Sequence, residues 1–346
     1  MKKLIQFILF AGLGIVILTL VYRSQNTAFQ EQCRLDGVPS DQCSLINKLL
    51  YDFSTVNIGW LLAVVGAFTV SNLFRAIRWQ MLHEPMGYHI RLSNSFLTIL
   101  LGYFANLGLP RMGEVVRPGS LARYENIPME KVMGTMVIDR LVDFICLILV
   151  VGLAFIFQGG VLLDFINKGK SSGSSSSGGG LLSNPIVWVI LVLGLLGLVF
   201  AWVLRNRLMQ LAVFQKFAGI VQGFRDGIRS VFQLQRPGLF IALSAGIWVM
   251  FFLQCYWNLK AFEPTAELSA GAALMIFVFG TLGFVIPSPG GMGTFHALCI
   301  AGLSLYGVAG GDAFSYANIA FFTIQIFYNV VGGVLALVLL PIINKK

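Results

Sequence analysis

The 346-residue sequence predicts an all-α, polytopic helical membrane protein, with about six full spans and two re-entrant helical hairpins arranged as inverted repeats. Composition, run length and loop charge carry that expectation. Hydrophobic residues make up 57% of the chain and charged residues only 11%, against about 45–50% and 25% in soluble domains. The mean hydropathy is +0.80. The apolar residues come in runs close to the ~20 needed to cross a bilayer as a helix. Function must therefore sit in or on the membrane. The net charge of +9 arises largely from basic residues in membrane-flanking segments, where topology accounts for them, so no nucleic-acid partner is expected.

Residues 4–22 follow Lys2 and Lys3 and have no small-x-small cleavage site before Arg23, so an uncleaved first span is expected. The polar loop 23–56 carries Cys33 and Cys43; it reads as extracytoplasmic, where an oxidising compartment could join them. Full spans are then expected at 57–74, 132–157, 185–204, 238–259 and 313–340. The Gly/Ser run at 169–180 (GKSSGSSSSGGG) reads as a linker. Between 204 and 237, Arg205, Arg207, Lys216, Arg225, Arg229 and Arg236 face only Asp226, which marks this amphipathic stretch as cytoplasmic and interfacial. Arg75, Arg78 and Arg91, with the terminal lysines, mark further cytoplasmic segments. Cys146, Cys255 and Cys299 lie in apolar runs and read as buried thiols.

Parity gives the short segments their character. The stretch 95–109 begins and ends on the cytoplasmic side, and the pair 269–286 and 294–309 enters and leaves from outside. The expected units are residues 1–56, an N-terminal span and extracytoplasmic loop; 57–157, a first repeat with a cytoplasm-side hairpin; 158–237, the linker, a span and the basic segment; and 238–346, a second repeat with an outside hairpin. Inverted repeats with broken helices point to a transporter whose site lies between the repeats.

The first hairpin, Asn106 to Pro128, sets Arg111, Glu114 and Arg117 among Pro110, Gly113 and Pro118, residues that interrupt helices and free backbone groups. It reads either as a polar site within the bilayer or as a solvated cytoplasmic loop. The next span carries Asp139, Arg140 and Asp143, and Asp143 lies about 16 Å along the helix from residue 132, too deep for its short side chain to reach water. Asp139 and Asp143 share a face, and Arg140 can pair with Asp143. This group either lines a pathway or locks the helix against the first hairpin. Arg111, Arg117 and Arg140 suit an anionic headgroup, because guanidinium matches phosphate oxygens in a bidentate manner.

The second hairpin turns through Pro287, Ser288, Pro289, Gly290, Gly291, Met292 and Gly293. No continuous helix passes such a run, and the segment after it could present free N–H groups to an anion; a tight turn packing two helices is the other reading. His296 could titrate during a cycle or serve as a structural hydrogen-bonder. Gln254 with Asn258, and Gln325 with Asn329, are i,i+4 pairs that could line the pathway or join helices. His83 and His89 fall in the expected cytoplasmic loop without metal-ligand spacing, so no metal and no cofactor are expected. No Walker loop, dinucleotide fingerprint or Ser/His/Asp arrangement is present, and the chain is not expected to be an enzyme.

With Asn106-Leu-Gly-Leu-Pro110, Gly113-Glu114 and Arg117, Asp139-Arg140 with Asp143, and Pro287-Ser-Pro-Gly-Gly-Met-Gly293 in order, the chain from about Ile58 to Pro341 resembles the flippase-like membrane family related to the transmembrane region of lysylphosphatidylglycerol synthases. The family often has Glu-Arg where this chain has Asp139-Arg140, and Glu where it has His296. The resemblance implies movement of lipids or lipid-linked compounds between leaflets. Its synthases join this region to a soluble aminoacyl-transferase, for which little room is expected after Lys346. The expectation is a stand-alone flippase in a bacterial-type inner membrane with both termini cytoplasmic. Its groove would be formed by Arg111, Glu114, Arg117, Asp139, Arg140, Asp143 and the second hairpin's turn. The expected partners are membrane lipids. The alternative is a lipid-binding accessory subunit of a lipid-modifying enzyme or glycosyltransferase.

Overall fold

A computed structural model describes residues 43–108, 111–171, 233–286 and 288–345, with isolated positions between 19 and 33 and at 229; of Pro289 and residues 162–171 only the backbone is described. Every regular element among the described residues is helical. The expected spans 4–22 and 185–204 and most of the basic segment after them lie outside the described residues.

Helix α1 (Leu45–Thr55) starts where the Ser44 side chain accepts from the Asn47 N–H. Helix α2 (Ile58–His83) is likewise capped by Asn57, whose side chain accepts from the Trp60 N–H. The span expected at 57–74 thus continues to His83. Arg75 and Arg78, expected in a cytoplasmic loop, are instead buried within this helix. Hydropathy treats each arginine as solvated, whereas these two are neutralised by carboxylates from a distant helix. His83 is also inside, with Nδ1 2.8 Å from the Trp79 carbonyl and Nε2 3.3 Å from Thr135 Oγ1.

Helices α3 (Leu92–Gly108) and α4 (Gly113–Glu125) form the first hairpin. The α4 N-terminus is held by Asn106, whose Oδ1 accepts from the Gly113 N–H at 2.7 Å. Helix α5 (Met129–Ser171) is interrupted at Gln158, where φ is −130°. This break falls where the span was expected to end. Helix α6 (Pro237–Ala261) opens on proline, which is tolerated at a position whose N–H has no intrahelical partner.

Helices α7 (Ala270–Val285) and α8 (Thr294–Ser304) form the second hairpin. At about 1.5 Å per residue α7 and α8 are each shorter than the ~30 Å hydrocarbon core. Helix α9 (Gly310–Phe321) runs through a π-helical stretch, Phe322–Tyr328, into α10 (Asn329–Ile343). Among the described residues, four helical stretches are long and apolar enough to cross a membrane: Ile58–Met86, Met129–Val161, Pro237–Ala261 and Gly310–Ile343.

The packing of the first half has counterparts in the second. Helix α2 lies along α6; α2 meets α3 as α6 meets α7, α4 meets α5 as α8 meets α9, and α5 lies on α7 as α10 lies on α3. Close approaches occur at small residues. A Cβ on Gly113 would collide with the Gly102 carbonyl, and one on Gly283 would lie 2.7 Å from the Phe295 Cα. Exposed faces are apolar, as with Phe144, Ile148 and Ile156 on α5 and Val334 and Leu337 on α10, whereas Arg78 and Asp139 are fully buried. This inside-out distribution suits lipid as the surrounding solvent.

Candidate functional site

One turn of α2 projects Arg75 and Arg78 from the same face, and one turn of α5 does the same for Asp139 and Asp143. The two faces meet. Arg78 donates from Nε to Asp139 Oδ1 at 3.0 Å and from Nη2 to Asp143 Oδ1 at 2.7 Å. Arg75 donates to Asp143 Oδ2 at 3.0 Å and to the Tyr103 hydroxyl at 2.8 Å. Arg117 reaches from α4 to Asp139 Oδ2 at 3.2 Å, with its guanidinium 4.0 Å from the Trp79 ring centroid. Ser244 of α6 accepts from Arg78 at 3.2 Å. Three guanidiniums thus surround two carboxylates, and the cluster carries a positive excess. A buried charge requires such pairing, and an excess of one sign favours an anion nearby.

Beside the cluster lies a cavity of about 840 Å³. Arg75, Arg111, Glu114, Arg140 and Asp143 line its charged side, and Ser288, Gly290 and Gly291 of the second hairpin also reach it. The remaining lining is mostly aliphatic and aromatic, with amides from α6 and the π-helical stretch. Arg111 sits at the turn of the first hairpin with φ of 59°, a left-handed conformation unusual for a residue with a side chain. Arg140 is 3.8 Å from Asp143 and is 45% exposed. Asp143 is therefore neutralised chiefly by Arg75 and Arg78, leaving the Arg140 head facing the cavity.

The second hairpin's turn is internally bonded. Thr294 Oγ1 lies 2.9 Å from Ser288 Oγ and donates to the Gly283 carbonyl at 2.8 Å. Gly290 and Gly291 have φ of 57° and 82°. A side chain on Gly291 would also meet the Phe284 ring.

A family model described as the lysylphosphatidylglycerol synthase TM region matches residues 45–332. The chain belongs to this family. Both hairpins and the whole ion-pair cluster fall inside the match. It is also similar to a UPF0104 membrane protein of Methanocaldococcus jannaschii, 34% identical over 86 residues. That match covers 24% of this chain and 25% of the archaeal protein, so the chain matches only a quarter of its relative's length. No solved structure matches.

The expected site residues separate into three groups. Arg111, Glu114, Arg140, Asp143, Ser288, Gly290 and Gly291 meet at the cavity. Arg117 and Asp139 are not among the cavity's lining residues; they lie in the ion-pair cluster and join α4 to α5. His296 is buried 4.8 Å from the Phe321 ring and is not among the cavity's lining residues; neither is Gly293. Pro287 and the Pro289 side chain lie outside the described residues.

Sequence reasoning missed Arg75 and Arg78 as site residues. Their signal was apolar sequence on both sides, from Phe74 to Leu82, which a solvated loop does not need. Gln254, Asn258 and Gln325 reach the cavity. Asn329 instead donates to Gln325 at 3.0 Å.

Proposed function

We propose that this protein is a lipid translocase that carries an anionic lipid or lipid-linked headgroup between leaflets while the acyl chains remain in the bilayer. The observation that carries this reading is the cavity of about 840 Å³ bounded by both hairpins, lined by three arginines together with many aliphatic and aromatic side chains. An amphiphile needs both: guanidinium for phosphate, and hydrocarbon-like surface where the headgroup joins the chains. Family membership is consistent with a membrane role for the region that holds this cavity.

The paired packing supports two repeats of inverted orientation, with the headgroup site between them. The reading places the termini on the cytoplasmic side of a bacterial-type inner membrane. The Cys33–Cys43 disulfide supports an extracytoplasmic location for the segment that contains it. In this reading the chain is a carrier and not an enzyme, with Asp139 and Asp143 engaged by arginines.

Leaflet exchange of labelled anionic and zwitterionic lipids in proteoliposomes tests the proposal. The intact chain should exchange anionic lipid, and Arg111→Gly and Glu114→Gln proteins shown to be folded should do so at least about tenfold more slowly, the effect of ~1.4 kcal/mol in a barrier. Glycine at 111 removes the guanidinium without disturbing the left-handed turn. Lipid retained stoichiometrically without exchange would favour the accessory-subunit reading.

A further inference from the structure

The α6 residues that line the cavity carry no formal charge, and the Arg75 guanidinium lies 5.6 Å from the ring centroid of one of them, Phe251. Along α6, Trp248, Gln254 and Asn258 line the cavity and fall over about 15 Å of helix length. Trp248 Nε1, Gln254 Oε1 and Asn258 Oδ1 are buried without a hydrogen-bond partner among the described residues, and Trp248 and Asn258 are only 9% and 3% exposed. All three residues line the same cavity, and each such atom costs desolvation unless a ligand or water pairs with it. Their chemistry is one N–H donor and two amides that both donate and accept, a set suited to hydroxyl groups.

Carboxylates are scarce where an ammonium would need them. Helices α6, α7 and α8 contain no Asp or Glu. Of the two acids that line the cavity, Asp143 is held by Arg75 and Arg78, and Glu114 lies on the arginine side beside Arg111. Among the described residues, an amine at the α6 wall would meet no carboxylate on α6, α7 or α8, and the nearby Asp143 is already paired. A glycerol or sugar would meet donors and acceptors over the length of its hydroxyl row.

We infer that the cavity selects a phosphodiester lipid whose headgroup is uncharged and hydroxyl-bearing, with the phosphate held by Arg75, Arg111 and Arg140 and the hydroxyls by Trp248, Gln254 and Asn258. This rests on the translocase reading for its anionic lipid and adds the class of headgroup.

Binding to the full chain, measured by native mass spectrometry with lipids of matched acyl chains, tests the inference without requiring transport. Phosphatidylglycerol should bind about tenfold more tightly than phosphatidylethanol, which has the same single negative charge but no hydroxyl, since tenfold corresponds to ~1.4 kcal/mol, the scale of one or two net hydrogen bonds. It should also bind more tightly than lysylphosphatidylglycerol. A folded Gln254→Leu/Asn258→Leu protein should still bind both anionic lipids but with a ratio near one. Equal binding of phosphatidylglycerol and phosphatidylethanol to the native protein would overturn the inference and leave the anionic-lipid reading standing. Tighter binding of the lysyl lipid, whose two ammonium groups outweigh its phosphate, would overturn the inference and count against the anionic-headgroup reading as well. Failure to bind any anionic lipid would remove both. The native-protein comparison needs no variant, so misfolding of the double variant cannot obscure the result.

Discussion

Asp139 holds two arginines at once. It accepts from Arg78 and from Arg117 and has no exposure, so its removal leaves two buried guanidiniums short of a counter-charge. Asp139→Asn should therefore cost about 3–5 kcal/mol, the scale for breaking a buried pair. Thermal unfolding in detergent measures this, and Asp139→Glu, which keeps the charge, should recover a large part of it. A loss below 1 kcal/mol would mean that water or lipid already satisfies these arginines. Lys48 makes a smaller contribution at the edge of the molecule, where its Nζ lies 2.9 Å from Asp52 and 2.7 Å from Asp312. Partial burial alone would lower its pKa, but the Asp312 and Asp52 carboxylates outweigh that and raise it above the ordinary 10.5. Its stabilising contribution is thus complete below pH 10.5 and is lost as pH rises through the higher folded value. The difference in melting temperature between wild type and Lys48→Met should shrink across that range; a constant difference would count against the bridge.

At the scale of the element, each hairpin depends on a close backbone approach. Gly113 begins α4 against the Gly102 carbonyl, and a Cβ there would also lie 2.8 Å from Asn106 Oδ1, the atom that caps the helix. Gly113→Ala should separate α3 from α4 and destabilise the protein by about 1–3 kcal/mol. Gly108, in the same hairpin, has open space around its Cβ position. Gly108→Ala should fall within about 0.5 kcal/mol of wild type. Equal effects at the two positions in chemical denaturation would show that helix propensity, not the crossing, decides. The π-helical stretch at Phe322–Tyr328 brings Gln325 to the cavity, an instance of an irregular turn placed at a candidate site. Nothing local in FFTIQIFYN announces that turn.

At the scale of the whole molecule, the two hairpins should open to opposite faces of the membrane. Cysteines placed at exposed Arg123 and Glu267, in a chain freed of its other reactive thiols, should react with a membrane-impermeant reagent from opposite sides in oriented vesicles. Labelling of both from one side would remove the inverted arrangement and require another account of the paired helix contacts. The helical class and the places where the hairpins break were legible in the sequence. Helix α4 begins at Gly113 and α7 ends just before the Pro-Gly run after Ile286, because proline and glycine act on their own backbone; Pro118, expected to interrupt a helix, instead lies inside α4. The extent of α2 was not legible, because Arg75 and Arg78 depend on carboxylates more than sixty positions away.

The sequence by itself determined the helical membrane class, the short paired helices and the candidacy of Arg111, Glu114, Asp139 and Asp143, since run length, helix breakers and charges within apolar segments act through neighbouring residues. Only the tertiary structure decided which charges neutralise one another and which face the cavity. It sent Arg75 and Arg78 inward to the α5 carboxylates, set His296 against Phe321, and left Arg140 facing the cavity. Ion pairing and burial are properties of groups that meet in space, and spacing along one helix cannot specify a partner carried by another.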